Sequence, residues 1–452
     1  MTPKTMDMTK GNPMSLLIRF ALPLMVGNVF QQLYTVVDTM VVGKALGVGA
    51  LAALGAADWL NWLMLGIVQG FTQGFAVLMA QDFGAKNYDA LRKTVGNSAV
   101  LCAVCAVSLV VLGQMFLSPV LTLLQTPSDI APGSALYLRI MFAGVPVVMA
   151  YNLFACILRS LGDGRTPLYA MIVASAVNIG LDLLLVLVFN WGIAGAAIAT
   201  LIAQCCSAVF CLVQLGRIDV MRLGKQEFRL DGGLCKRLLR LGAAMAFQFT
   251  VISVGGLLVQ FVINGFGVIF IAGFTASNKL YGVLEIAASS FGFAIVTYVG
   301  QNLGAGRIDR IRLGQRAAIL LSLLTSAAIA VMMLVFGKII LSGFISGTPE
   351  EVTATMEIAY YYLAVMSISL PSLYLLYAAR SALQGMGNAV LPLASGIVEF
   401  FMRTGAAFLL PLAVGQTGIF YAEVLAWIGA DLVLIPGYFV TVKKHELAEK
   451  DS

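Results

Sequence analysis

An ionised side chain is rare within a run of residues apolar enough to sit in hydrocarbon, so the acids and amides that interrupt such runs are the first candidates for chemistry. The stretch Ala176-Val177-Asn178-Ile179-Gly180-Leu181-Asp182-Leu183-Leu184-Leu185-Val186-Leu187 carries an amide and a carboxylate four residues apart. On a helix that spacing stacks the two on one face, about 6 Å apart at their roots, close enough to share a ligand. The stretch Gln31-Gln32-Leu33-Tyr34-Thr35-Val36-Val37-Asp38 repeats the spacing with Tyr34 and Asp38. A charged carboxylate at the centre of a bilayer costs about 3 kcal/mol or more, so an acid there points to function and to a partner. Asp38 is the candidate partner of Asp182. A pair of carboxylates with nearby oxygen donors suits uptake of a proton or of a hard cation such as Na⁺.

The elements that must carry these residues follow from composition. The chain has 452 residues, 60% of them hydrophobic and only 11% charged, with a mean hydropathy of +0.93. A soluble domain would carry roughly a quarter charged residues, so this is an all-α polytopic membrane protein. Apolar blocks separated by charged breaks predict about twelve helices, near 15–43, 50–80, 94–117, 130–158, 166–189, 193–215, 238–263, 268–300, 315–342, 352–380, 390–412 and 416–441. The first block contains Pro23 and runs on into the second, so it reads as a retained helix rather than a cleaved signal.

The formal charge of +6 does not imply nucleic acid, because the basic residues sort by side. With both termini cytoplasmic, every Lys and Arg except Lys44, Lys338, Arg139, Lys279 and Arg403 falls in a cytoplasmic segment, Arg380 among them. The positive-inside rule then fixes the orientation in the cell membrane. The first helix runs outward, placing Asp38 about 12 Å beyond its midpoint, and the fifth places Asp182 about 6 Å beyond. The sixth helix runs inward and brings Thr200 to the outer half as well.

Compared with itself at a shift of 220, the chain aligns Gln81-Asp82-Phe83-Gly84-Ala85 with Gln301-Asn302-Leu303-Gly304-Ala305. A shift of 225 aligns Leu158-Arg159-Ser160-Leu161-Gly162-Asp163 with Leu383-Gln384-Gly385-Met386-Gly387-Asn388. The chain therefore reads as a duplicated six-helix unit: a lobe over 1–215, a cytoplasmic linker over 216–237 and a lobe over 238–452, related by an axis along the membrane normal. Position 178 maps to Arg403 and Asp182 to Ala407, which assigns the acidic pocket to the first lobe alone. Glu399 and Arg403, four apart, are expected to form an ion pair within one helix. Gln248 and Glu285 are further polar candidates for a cavity in the second lobe, and Asp163 reads as a turn or cap. Cys102 and Cys105, with no second pair and a single His in the chain, read as small apolar residues rather than as metal ligands.

In these stretches, and in Gly192-Ile193-Ala194-Gly195-Ala196-Ala197-Ile198-Ala199-Thr200, the chain resembles the multidrug and toxic compound extrusion (MATE) transporters, nearer the DinF-type than the NorM-type branch. The resemblance covers nearly the whole chain. It implies secondary active export of amphipathic, often cationic, compounds by alternating access between two lobes, driven by H⁺ or Na⁺. It also implies a coupling site of Tyr34, Asp38, Asn178, Asp182 and Thr200, with Pro23 as a hinge of the first helix. Gln248 stands where the NorM-type branch carries an acid. No cofactor is expected, the partners are drug-like molecules and the bilayer, and a monomer is expected. No P-loop or nucleotide domain supports an ATP-driven pump. An enzyme would need a nucleophile–base pair or a metal cluster. A flippase for lipid-linked glycans is the nearer rival, although few Lys or Arg lie within the helices.

With the native cysteines replaced, single cysteines at Asn87 and Ile308 should be labelled only from the cytoplasm. Labelling of either from outside intact cells would overturn the topology.

Overall fold

The computed structural model describes residues 5–124, 126–345 and 348–450, and among them the regular structure is helical with no strand. The twelve apolar segments form α1 (Pro13–Gly47), α2 (Ala52–Gly84), α3 (Tyr88–Leu123), α4 (Ala131–Ala143 with Val145–Ser160), α5 (Arg165–Val188), α6 (Gly192–Leu215), α7 (Gly232–Asn264), α8 (Val268–Gly304), α9 (Ile308–Ser342), α10 (Pro349–Gly385), α11 (Val390–Val414) and α12 (Gln416–Leu447). Helices are forced here, because hydrocarbon offers no partner for a backbone N–H or carbonyl and a helix satisfies both within itself. Their first turns are closed by side chains. Asn87 accepts from Ala90 N at 3.1 Å, Asp163 from Arg165 and Thr166 N at 3.0 Å, and Asn388 from Val390 N at 3.1 Å. Thr348 and Glu351 form a reciprocal capping box on α10. Asp163 is thus the cap expected of it.

The duplication is written in the backbone. Ten described residues have positive φ, and eight of them fall into four pairs. Gly47 and Gly267, and Lys86 and Gly306, lie 220 apart; Gly162 and Gly387, and Asn190 and Gly415, lie 225 apart. Each pair breaks the chain at the same joint of its six-helix repeat. At two of these joints the closing hydrogen bonds match too, with Asn87 N on Asp82 O at 3.0 Å and Arg307 N on Asn302 O at 2.8 Å.

The packing does not follow the boundaries 1–215, 216–237 and 238–452. One compact unit comprises Leu22–Ala246 with the residues up to Asp7, and the other Met8–Ala21 with the residues from Phe247 onward. The divisions therefore fall inside α1, next to Pro23, and inside α7. The helix keeps helical dihedrals through Pro23 and breaks instead at Gly47, where φ is 82°. In the first unit α6 packs on α4 and α5; in the second α10 packs on α8, α9 and α12.

The linker belongs wholly to the first unit and is fixed there by Asn97 of α3. Its amide nitrogen donates to the carbonyls of Glu227 (3.3 Å) and Arg229 (3.1 Å), and its amide oxygen accepts from Asp231 N at 2.9 Å. A Cβ on the preceding Gly96 would lie 2.2 Å from the Glu227 carbonyl, so only glycine admits the linker at that point.

Ile308 is buried, and the exposed neighbour Arg307 is the better position for a labelling cysteine. Gly162→Ala and Gly306→Ala separate two costs. At Gly306 (φ 66°) nothing lies within 4 Å of an added Cβ, so the substitution should cost only the left-handed strain of about 1 kcal/mol. At Gly162 (φ 81°) the new Cβ would also sit 2.3 Å from the Met6 carbonyl oxygen. Thermal melting in detergent should show the larger drop for Gly162→Ala; equal drops would mean the Met6 segment yields freely.

Candidate ion and substrate sites

The structure brings Tyr34, Asn178 and Thr200, from α1, α5 and α6, to one small cavity of about 20 Å³, completed by Gln31, Tyr151, Met171, Ala174, Ala203, Gln204 and Ser207. That is room for about one water-sized particle. Asn178 Nδ2 donates to Thr200 Oγ1 at 3.5 Å, and Thr200 Oγ1 donates to Ala196 O at 3.1 Å. The amide oxygens of Asn178 and Gln204 are buried without a hydrogen-bond partner. The wall is therefore rich in oxygen acceptors with capacity to spare. Ser175 helps to dock α5 on α1 by donating to Phe30 O at 3.3 Å.

Asp182 lies one turn beyond Asn178 on α5 and does not line the cavity. Its side chain has no solvent exposure, and neither carboxylate oxygen has a hydrogen-bond partner. Asp38 is half-buried with one oxygen equally unpartnered, and its charge is close enough to act on Asp182. Immediately after Asp182 the helix widens into a π-helical stretch, Leu183–Val188. Such widenings rotate the following side chains out of the ordinary register and recur at functional sites.

A third acid belongs to this group. Asp58 on α2 acts electrostatically on Asp38. Sequence reasoning passed over it, although an acid inside the second apolar block is the same signal that singled out Asp38 and Asp182. One helical turn from each polar residue lies a member of a single apolar cluster: Val42 beyond Asp38, Val186 beyond Asp182, Leu54 before Asp58 and Ala196 before Thr200. The polar groups thus all border one apolar cluster, each a helical turn from one of its members.

The second unit is not free of acids, contrary to the expectation that the acidic pocket belongs to the first half alone. It holds Glu285, Glu399, Glu423 and Asp431, threaded together by two arginines. Tyr377 O–H donates to Glu285, and Arg380 pairs with Glu399 and donates to Ser395 Oγ at 3.3 Å. Arg403 pairs with Glu423 at 2.7 Å and donates to Ile252 O at 3.1 Å. Ser372 Oγ donates to Asp431 at 2.7 Å. The expected pair Glu399–Arg403 does not form. Each residue turns instead to a neighbouring helix, because long side chains on the buried face of α11 meet opposite charges on α10 and α12 before they meet each other. Arg380 is not in a cytoplasmic segment either; it lies within α10, its side chain 11% exposed. Gln248 is buried and accepts from Gln384 at 3.4 Å. Arg139 is exposed.

Comparison with known proteins gives a consistent result. The family model described as MatE matches residues 23–184 and 244–409, one match to each six-helix repeat. The chain is 29% identical to the probable multidrug resistance protein YoeA of Bacillus subtilis (strain 168), over 94% of this chain and 93% of the relative. It is 27% identical to the probable multidrug resistance protein NorM of Thermotoga maritima, over 92% and 89%. Its fold matches a solved outward-facing structure of a multidrug resistance MATE family transporter of the MOP superfamily, with a TM-score of 0.91, 19% identity and 99% of each chain covered.

Breaking the buried pair in the second unit should be costly. Glu399→Gln leaves the Arg380 guanidinium buried without its counter-ion, at an expected loss of about 3 kcal/mol or more. Replacing both, Arg380→Met with Glu399→Leu, should recover most of that in detergent melting. A single variant as stable as the wild type would mean that Arg380 has another counter-charge.

Proposed function

The chain belongs to the MatE family of multidrug efflux transporters, and from that premise we propose that it is a secondary active exporter whose Asp182 exchanges a cation during the transport cycle. The exported compounds are amphipathic organic molecules, often cationic. The observation that carries this reading is the complete burial of Asp182 with both oxygens unpartnered. An ionised carboxylate held that way is too costly to persist, so the site calls for a neutralising charge in at least part of the cycle.

Two species can neutralise it. A proton would bind an Asp182 oxygen directly. A Na⁺ ion would take oxygens of Asp182 and Asp38, with Asn178, Thr200 and Tyr34 as oxygen donors from the adjoining cavity; hard cations prefer that donor set. Either event removes a buried charge from the layer where α1, α5 and α6 meet. That changes which arrangement of α1 is favoured, with Pro23, the missing backbone donor of that helix, as the place where bending costs least. Opposite movements of ion and drug follow when one arrangement binds the ion and the other the drug. The flippase reading is not favoured, because the curated relatives are named multidrug resistance proteins and Arg380 and Arg403, the buried arginines of the second unit, are engaged by carboxylates.

The test is efflux of a fluorescent cationic dye from proteoliposomes under separately imposed pH and Na⁺ gradients. One gradient should drive wild-type export. Asp182→Asn and Asp38→Asn should each abolish it, since an amide keeps the shape but cannot exchange charge, while dye binding in detergent survives. Efflux near the wild-type rate in either variant would remove that carboxylate from the coupling mechanism.

A further inference from the structure

The linker that precedes α7 presents positive charge that no carboxylate of the described residues neutralises. Its acids are all engaged: Asp219 by Arg222 at 2.8 Å, Glu227 by Gly224 N at 2.8 Å and by Arg92, and Asp231 as the acceptor from Gly233 N at 2.8 Å that opens α7. Arg237 is spoken for as well, since its charge acts on Asp82. Lys225, Arg229, Lys236 and Arg240 are exposed, and no carboxylate of the described residues lies in salt-bridge range of any of them. Lys236 and Arg240 are one turn apart on α7 and share a face.

Large apolar side chains stand among these cations. Phe228 is 43%, Leu230 59% and Leu239 38% exposed. Phe228, Arg229 and Leu230 form the outer edge of the loop that Asn97 holds by the carbonyls of Glu227 and Arg229 and the N–H of Asp231. The apolar and basic groups are therefore presented together by a fixed backbone. Water suits Phe228 and Leu230 poorly, and hydrocarbon suits the four cations poorly. The boundary between them suits both, and anionic headgroups there would supply the missing counter-charge.

We propose that residues 225–240 form a docking surface for anionic phospholipid at the membrane interface, with Phe228 and Leu230 seated among the acyl chains and Lys225, Arg229, Lys236 and Arg240 on the lipid phosphates. By the charge bias of the loops this is the cytoplasmic leaflet. Because the same linker leads into α7, lipid held here fixes the start of that helix against the bilayer. Asn97 is a positioning residue: it touches no lipid and sets the loop that does.

The test uses the full chain, with Phe228→Trp as a reporter in a background whose native tryptophans are replaced by phenylalanine. It is reconstituted in phosphatidylcholine vesicles containing either brominated phosphatidylglycerol or brominated phosphatidylcholine. Quenching should be stronger with the brominated phosphatidylglycerol, and the difference should shrink with added salt. The quadruple change of Lys225, Arg229, Lys236 and Arg240 to Gln should abolish the preference, since about fivefold per cation near the surface amounts to roughly several hundredfold for four. Asn97→Ala, which keeps all four cations, should weaken it less. Equal quenching by the two lipids at low salt, or a preference that survives the quadruple change, overturns the proposal. Absence of quenching by either lipid overturns it too, because the loop would then lie away from the bilayer and face a soluble partner.

Discussion

In hydrocarbon a polar group has no partner except another part of the protein, and the architecture of this chain depends on that constraint. The backbone meets it by being helical. Side-chain hydroxyls meet it locally, as when Thr35 and Thr39 donate to the carbonyls of Gln31 and Thr35, or Ser175 to that of Met171. Helix ends meet it with Asn87, Asp163, Asn388 and Thr348, each taking up N–H groups that the first turn leaves open. Among the described residues Asp182 is the carboxylate with both buried oxygens unpartnered, and that requires a physical reason. The cation uptake proposed above would supply one.

Much of this was legible in the sequence because period, length and charge report directly on lipid. Twelve apolar segments and the duplication both follow from counting residues along the chain. The unit boundaries were not legible, since both fall inside continuous helices, α1 and α7, where no turn or loop marks them. Nor was the π-helical stretch after Asp182, whose residues Leu183-Leu184-Leu185-Val186-Leu187-Val188 would fit an ordinary helix. Asp58 was available to the same argument that found Asp38. The charged residues of the second unit were visible one by one, but spacing on a single helix favoured a local Glu399–Arg403 pair. Partners on other helices cannot be read from spacing, and there α10 and α12 decided the pairing.

The two units show what a duplicated scaffold leaves free. Positive-φ joints recur at matched positions, so the backbone plan has been retained. The side chains at corresponding points have diverged: where the first unit has Ala174, Asn178 and Asp182 along α5, the second has Glu399, Arg403 and Ala407 along α11. In the second unit Arg380 and Arg403 each have a carboxylate, and such a network resists change, because moving one helix strands a buried charge on another. In the first unit Asp182 is left without such a partner, so its environment can be switched by something that arrives and leaves. A site that must alternate between two states cannot be fully satisfied in either by the protein alone. Under the proposed mechanism Asp182, with both oxygens open, is the group left able to take up a cation, whereas Glu399 and Glu423 already hold arginines.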